Sequence, residues 1–201
     1  MRFTLSSVWS RIVAITLAAT LLASCGINAI PTYEEQAKAR WSQVLNQYKR
    51  RNDLIPNLVE TVKGFAAQER EVLEAVVEAR AKATQTTLSP DMLTDEAAVK
   101  AFTENQQALS GALSRLLVTV ERYPDLKSSQ NFLTLQTQLE GTENRIAVAR
   151  RDYIEAVRLY NTELKTIPGR WWRSLLYSDA DPLATFDVAP GETVTPQVSF
   201  D

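Results

Sequence analysis

The sequence predicts an all-α protein: an elongated antiparallel up-and-down helical bundle of four helices, or three if the first is only kinked at Pro56. Two observations predict it. Three long stretches place apolar residues at alternating three- and four-residue steps, which keeps one face of a helix turned to a core. The segments between them are short and carry Thr, Ser, Pro and Asp, so successive helices must run antiparallel. Seven-residue spacing sustained over these stretches adds shallow, coiled-coil-like crossing angles.

The chain opens on a segment that stands apart from the bundle. Arg2 and Arg11 give it a positive flank, residues 12–23 are uncharged and rich in Leu, Ile and Ala, and Leu22-Ala23-Ser24-Cys25 closes it. That is the layout of a secretory signal peptide. The Leu-Ala-Ser-Cys ending resembles the bacterial lipoprotein signal, in which the cysteine thiol takes a diacylglycerol and the chain is cut just before it. The expectation is a lipoprotein signal peptide over residues 1–24 and a lipidated tether over 25–31, with membrane lipid as the partner of acylated Cys25. An uncleaved anchor or an incidental cysteine are the alternatives, and twelve helical residues span about 18 Å against a hydrocarbon core of about 30 Å. Gly26 after the cysteine, rather than Asp, resembles cargo of the outer membrane. The expected location is the bacterial cell envelope, on the outer membrane facing the periplasm if the source has two membranes.

The first helical stretch begins at Trp41 and runs through Val44, Tyr48, Arg51, Ile55, Leu58, Val62, Phe65, Glu69, Val72, Val76 and Ala79. Arg51 and Glu69 interrupt this seam and are read as places where it opens to water. Pro56 offers no N–H to the carbonyl of Asn52 and disfavours helical angles at Ile55. Asn52-Asp53 just before it reads as a stop-and-cap pair, so a break near 52–56 is favoured over a kink. After a loop at 86–91, Thr94 reads as the N-cap of the second stretch, with Asp95 and Glu96 at the positive end of its dipole. Its seam is Val99, Phe102, Gln106, Leu109, Leu113, Leu116 and Val120, with Gln106 a polar member of the kind that fixes register in bundles. Tyr123-Pro124 ends it.

The third stretch starts near Ser128 or Ser129 and carries Phe132, Leu135, Leu139, Thr142, Ile146, Ala149, Tyr153, Ala156 and Tyr160, extended by Leu164 and Ile167 to a stop at Pro168-Gly169. The bundle is thus expected over 32–168. Residues 169–201 then form an aromatic segment, Trp171-Trp172 flanked by Arg170 and Arg173, and an extended, partly disordered tail rich in proline. The aromatic segment reads either as a cap folded onto one end of the bundle or as a short helix at a membrane surface.

Composition narrows the function. Removing residues 1–24 from the 201 leaves 177, enough for one domain with a real core, and takes away two arginines, so the remaining chain is acidic. That balance gives no support to nucleic-acid binding. The chain has no histidine and a single cysteine, which removes the commonest acid–base catalyst and transition-metal ligand as well as any intramolecular disulfide. Gly-rich phosphate loops are missing, and no cofactor is expected.

The run Tyr48-Lys49-Arg50-Arg51-Asn52-Asp53-Leu54-Ile55-Pro56-Asn57-Leu58-Val59-Glu60-Thr61-Val62-Lys63-Gly64-Phe65 resembles the signature of the LemA family. So does Tyr123-Pro124-Asp125-Leu126-Lys127, continuing through Asn131-Phe132, Leu135-Gln136 and Leu139-Glu140 to Thr142-Glu143-Asn144-Arg145-Ile146, and the later Tyr160-Asn161. The resemblance covers roughly 32–168. It implies a small four-helix bundle presented outside the cytoplasmic membrane on an N-terminal anchor, and it carries no reaction or ligand over to any residue. Tyr153-Ile154, Ile167-Pro168 and Trp171-Trp172 depart from the family's pattern, so the tail is the least constrained part.

The favoured function is a non-catalytic envelope lipoprotein that scaffolds or adapts envelope proteins. Arg50, Arg51, Asn52 and Asp53 in the first stretch, and Glu140, Glu143, Asn144 and Arg145 in the third, are candidate partner surfaces; their plainer roles are caps, solvated faces or ion pairs between helices. Direct binding of membrane or cell wall through the bundle surface and Trp171-Trp172 is the alternative. A carboxylate-metal enzyme built on Glu140 and Glu143 is a remote third, because no histidine completes a Glu-x-x-His pair.

Overall fold

The computed structural model describes residues 26–186 and Trp9. Cys25, the rest of residues 1–24, and 187–201 lie outside the described residues, and with them the signal-peptide and lipidation expectations. Four long helices dominate: α1 (Ala29–Lys63), α2 (Arg70–Gln85), α3 (Glu96–Val120) and α5 (Gln130–Glu163). Two short ones, α4 (Pro124–Lys127) and α6 (Gly169–Leu176), and a 3-10 turn at Pro90–Met92 complete the set, with no strand among the described residues. At 1.5 Å per residue, α1 and α5 are each on the order of 50 Å long. They lie antiparallel along their length, and α2 and α3 form a second, shorter antiparallel pair against them. The all-α up-and-down bundle is therefore observed.

The long helices number four, as expected, but the break is not at Pro56. Helix α1 runs unbroken from Ala29 to Lys63 with Pro56 inside it. Asn52 and Asp53 are accordingly helix-interior residues, not a stop and a cap. The vacated carbonyl of Asn52 accepts a hydrogen bond from Arg80 Nε on α2, at 2.9 Å, which removes the main reason for the helix to end there. The chain instead turns between Gly64 and Glu69, where Ala66 enters the core and Phe65 is turned out, 48 % exposed. Helix α3 starts one residue later than expected: the Asp95 carboxylate accepts from the N–H groups of Ala97 and Ala98, at 2.9 and 3.1 Å. At the end of α5, Leu164 is buried but Ile167 is exposed.

The core has two halves. One gathers Ile55, Leu58, Val62, Leu73, Val76, Leu109, Leu116, Phe132 and Leu139 between all four long helices. The other gathers Trp41, Val44, Tyr48, Phe102, Ile146, Tyr153 and Tyr160. Here α2 has already ended and α3 has only begun, and the missing wall comes from Leu88, Leu93 and the chain after α6. Residues 180–186 have no regular secondary structure, yet they are packed, with Ala180, Leu183, Ala184 and Phe186 in the core. The Tyr153 hydroxyl donates to the Ala184 carbonyl at 2.9 Å, and Asn161 exchanges two hydrogen bonds with the Leu183 backbone. Through residue 186 the tail is a strap, not a disordered end.

Candidate functional site

Between the two core halves lies a polar layer centred on Arg51. Its seam position on α1 is not open to water: the side chain is 1 % exposed. Nη1 donates to Ser110 Oγ at 2.7 Å and to Glu143 Oε1 at 2.9 Å, and Nη2 donates to Gln106 Oε1 at 2.6 Å. The guanidinium also lies 5.1 Å from the Tyr48 ring centre. Burial pushes the Tyr48 phenol up, while the nearby charges of Arg150 and Arg51 pull it the other way. Gln106 reaches onward to the Ala83 carbonyl at 3.2 Å, so one layer ties α1, α2, α3 and α5 together. Desolvating a guanidinium is costly unless its donors are matched; here three side-chain acceptors match Nη1 and Nη2, while Nε is buried without a partner among the described residues. Such a layer fixes helix register more than it adds stability.

Glu69, the other polar seam residue, is also not simply solvated. It accepts from the Tyr123 hydroxyl at 2.6 Å and from Arg122 Nη2 at 3.0 Å across the turn that joins α1 to α2.

The candidate partner residues therefore part company. Arg51 and Glu143 meet each other; Asn52 is buried, and its backbone carbonyl serves α2. Arg50, Asp53, Glu140, Asn144 and Arg145 are exposed. Glu140 accepts from Gln136, four residues back, at 2.9 Å, so the carboxylates of Glu140 and Glu143 are engaged separately. Among the described residues no three His, Cys, Asp or Glu side chains are grouped to hold a metal. Asn144 and Arg145 do line a shallow groove where α5 faces α1, beside Gln43, Gln47 and Val148, with Arg40 and Asp152 paired at 3.7 Å. In this groove part of the predicted polar cluster of α5 forms a shaped surface.

The two tryptophans of α6 face opposite ways. Trp172 packs against the core, whereas Trp171 is 58 % exposed. The aromatic segment is thus a fold-back cap by one face only. Gly26, at φ 98°, takes a turn that favours glycine and lies against this end; a side chain added there would begin 3.3 Å from Pro168 Cγ. No described helix is long and apolar enough to cross a membrane.

Sequence reasoning singled out Arg51, Gln106 and Glu143 one at a time and missed that they meet, across separations of 55 and 92 residues. It also missed the strap residues. Phe186 sits 5.7 Å from Trp41 and 5.4 Å from Tyr153, centre to centre, with Arg150 over its ring at 4.6 Å. The available signal was Leu183, Ala184 and Phe186 standing among prolines and acids.

A family model described as the LemA family matches residues 40–200, through the strap as well as the bundle. Among characterised proteins, the chain is similar to Magnetosome protein MamQ 2 and MamQ 1 of Paramagnetospirillum magneticum, each 26 % identical over 191 residues, covering 85 % of this chain and 69 % of theirs. It is also 27 % identical over 190 residues to Magnetosome protein MamQ of Magnetospirillum gryphiswaldense, with the same coverage.

Proposed function

The chain belongs to the LemA family, and on that premise we propose that it is a lipid-anchored, non-catalytic scaffold of the cell envelope. In this reading a stiff rod stands on acylated Cys25 and offers its sides to envelope proteins. The observation that carries it is the place of Gly26, at one extreme of a bundle about 50 Å long. An anchor attached there leaves the whole length of α1 and α5 projecting away from the membrane. The groove holding Asn144 and Arg145 lies part-way along that length, where a partner protein can reach it. Family membership and the MamQ likeness fit a membrane-associated protein without enzymatic activity. The deeply buried polar groups support the same reading, since Arg51 and Gln106 bond each other and hold the helices in register.

Two measurements test the proposal. Cells fed a radiolabelled fatty acid should label the wild-type protein and not Cys25→Ser; label retained by Cys25→Ser overturns the lipid anchor. A photo-crosslinking residue at position 144 or 145 should trap specific envelope proteins in intact cells, whereas one at position 74 of α2, which is also exposed, should not. Equal trapping at all three positions overturns the scaffold surface. Membrane fractionation then separates outer from inner membrane if the source has both.

A further inference from the structure

Helix α6 carries an apolar face that nothing among the described residues covers. Trp171 is 58 % exposed, Leu175 72 %, Leu176 57 %, and Ile167 just before the helix 65 %. These are large side chains grouped at one end of the molecule, not single residues scattered over it, and such a patch marks a contact surface. On the opposite side of the helix Gly169 is buried and Trp172 packs into the core, so the face is held rigidly outward. Arg170 borders the patch and pairs with no carboxylate among the described residues, nor does Lys165. The acids near this end include Glu34, Glu163, Asp179 and Asp181, the last of them 3.5 Å from Arg173.

The position of this face identifies what covers it. Pro168, the residue before α6, lies against Gly26. One residue upstream of Gly26 is Cys25, and upstream of that the apolar run of 12–23. Whether the anchor is an acyl group or that run itself, the chain enters the bilayer next to α6. Eight helical residues span about 12 Å, so all of α6 lies close to the lipid headgroups. Trp prefers that boundary, where one edge of its ring is apolar and the other wet. Arg and Lys there meet anionic headgroups.

We propose that the outward face of α6, formed by Trp171 and Leu175 with Ile167 beside them, is a second membrane contact that inserts into the headgroup boundary of the bilayer next to the anchor. The inference rests on the anchored reading above for the location of the membrane, and adds a protein–lipid contact that fixes the rod's tilt. Alone, a face of this size gives only weak membrane attachment. With the anchor already inserted, docking is intramolecular, and a high effective concentration replaces intrinsic affinity.

The test uses the full chain purified from its membranes in detergent and returned to vesicles. The vesicles contain equal parts phosphatidylethanolamine and phosphatidylglycerol, with bromine on the upper acyl carbons. Every protein in the comparison carries Trp9→Phe, because Trp9 stands next to the apolar run of 12–23. Of the other tryptophans Trp41 is fully buried and Trp172 faces the core, so Trp171 should dominate the bromine quenching of tryptophan emission. Trp171→Phe should lose most of that quenching, and Leu175→Asp should reduce it while the protein stays membrane-bound. Protein that sediments with vesicles but shows equal quenching with and without Trp171→Phe overturns this proposal and leaves the anchor intact. The same holds if Trp171 is shielded from aqueous iodide yet not quenched by bromine, because protein then covers it. Recovery of the native protein in the soluble fraction overturns the anchor and the proposal together.

Discussion

The unbroken path of α1 through Pro56 makes a prediction that a double-mutant cycle can test. Proline removes the N–H that would bond the Asn52 carbonyl, and Asn52 is 6 % exposed, so water cannot easily replace it. Arg80 Nε supplies the missing donor at 2.9 Å. A hydrogen bond from a charged donor contributes about 1.5–3 kcal/mol, and an orphaned buried acceptor costs about 1–3 kcal/mol. Arg80 is half-buried, which favours the lower end. Arg80→Met, which keeps the aliphatic stem, should therefore cost about 1.5 kcal/mol in the wild type. In a domain of this size that lowers Tm by roughly 3–6 °C. In the Pro56→Ala background the residue 56 N–H bonds the same carbonyl, so Arg80→Met should cost no more than about 0.5 kcal/mol, a residue of lost packing. Urea unfolding followed by far-UV circular dichroism, on the Cys25→Ser form, gives all four corners of the cycle. Equal costs of Arg80→Met in the two backgrounds would refute the account, and the tolerance of Pro56 would then need another cause.

Five further outcomes are expected. Arg51→Ala should destabilise by about 3–5 kcal/mol, because it strands Gln106 and Ser110 and opens a void in the layer. Glu143→Gln should cost only about 1 kcal/mol, since its side chain is 43 % exposed and keeps access to water; the same unfolding measurement ranks the two. Phe186→Ala should cost about 3 kcal/mol and alter Trp41 emission, because the ring fills the space between Trp41 and Tyr153; an unchanged midpoint would mean the strap does not close the core. Stability should also fall at alkaline pH. Burial raises the Tyr160 phenol to about 12 and pushes Tyr153 up as well. Groups neutral in the fold but ionised when unfolded stabilise fully below pH of about 10, and that contribution is lost as pH rises toward 12. Tyr153→Phe should cost about 1 kcal/mol at neutral pH, through the bond to Ala184, and should flatten the alkaline slope.

The sequence shows its long-range order more readily than its junctions. The seam of α5 could be read almost residue by residue because nothing interrupts it: Phe132, Leu139, Ile146, Tyr153 and Tyr160 are all buried. The turn between α1 and α2 was hidden because the seven-residue spacing carries across it. Val62 and Val76 are both in the core, while Phe65 between them is out and Ala66 has taken its place. At Pro56 the local rule pointed to a break, and a tertiary partner 28 residues away overrode it. Arg51 failed for a related reason. A charge in a seam implies either water or a matched set of partners, and a linear pattern cannot show which. Gln106 in the second seam and Glu143 beside the third were already named, and only the fold makes them one layer.

The unequal helix lengths explain why the tail is part of the domain. Helices α1 and α5 continue past the level at which α2 ends, marked by Asn105 of α3 bonding Thr86. Two helices alone cannot enclose aromatic side chains, and Trp41, Tyr153 and Tyr160 would present a wide apolar face to water. The 86–93 segment closes one side, with Leu88 accepting the Trp41 indole N–H at 2.9 Å. The strap closes the remainder, pinned by Ala184 N–H to the Leu93 carbonyl at 2.8 Å. Segment and strap are thus mutually supporting, and removing either leaves the half of the core nearest Gly26 open. That is also the half that carries the groove lined by Arg40 and Asp152. A chain cut after residue 179 should therefore keep the helices around Ile55 and Leu116 while losing protection of the backbone amides near Tyr153. Hydrogen exchange measured helix by helix would show the loss confined to that half; uniform loss, or none, would mean the polar layer at Arg51 does not divide the bundle into separable units.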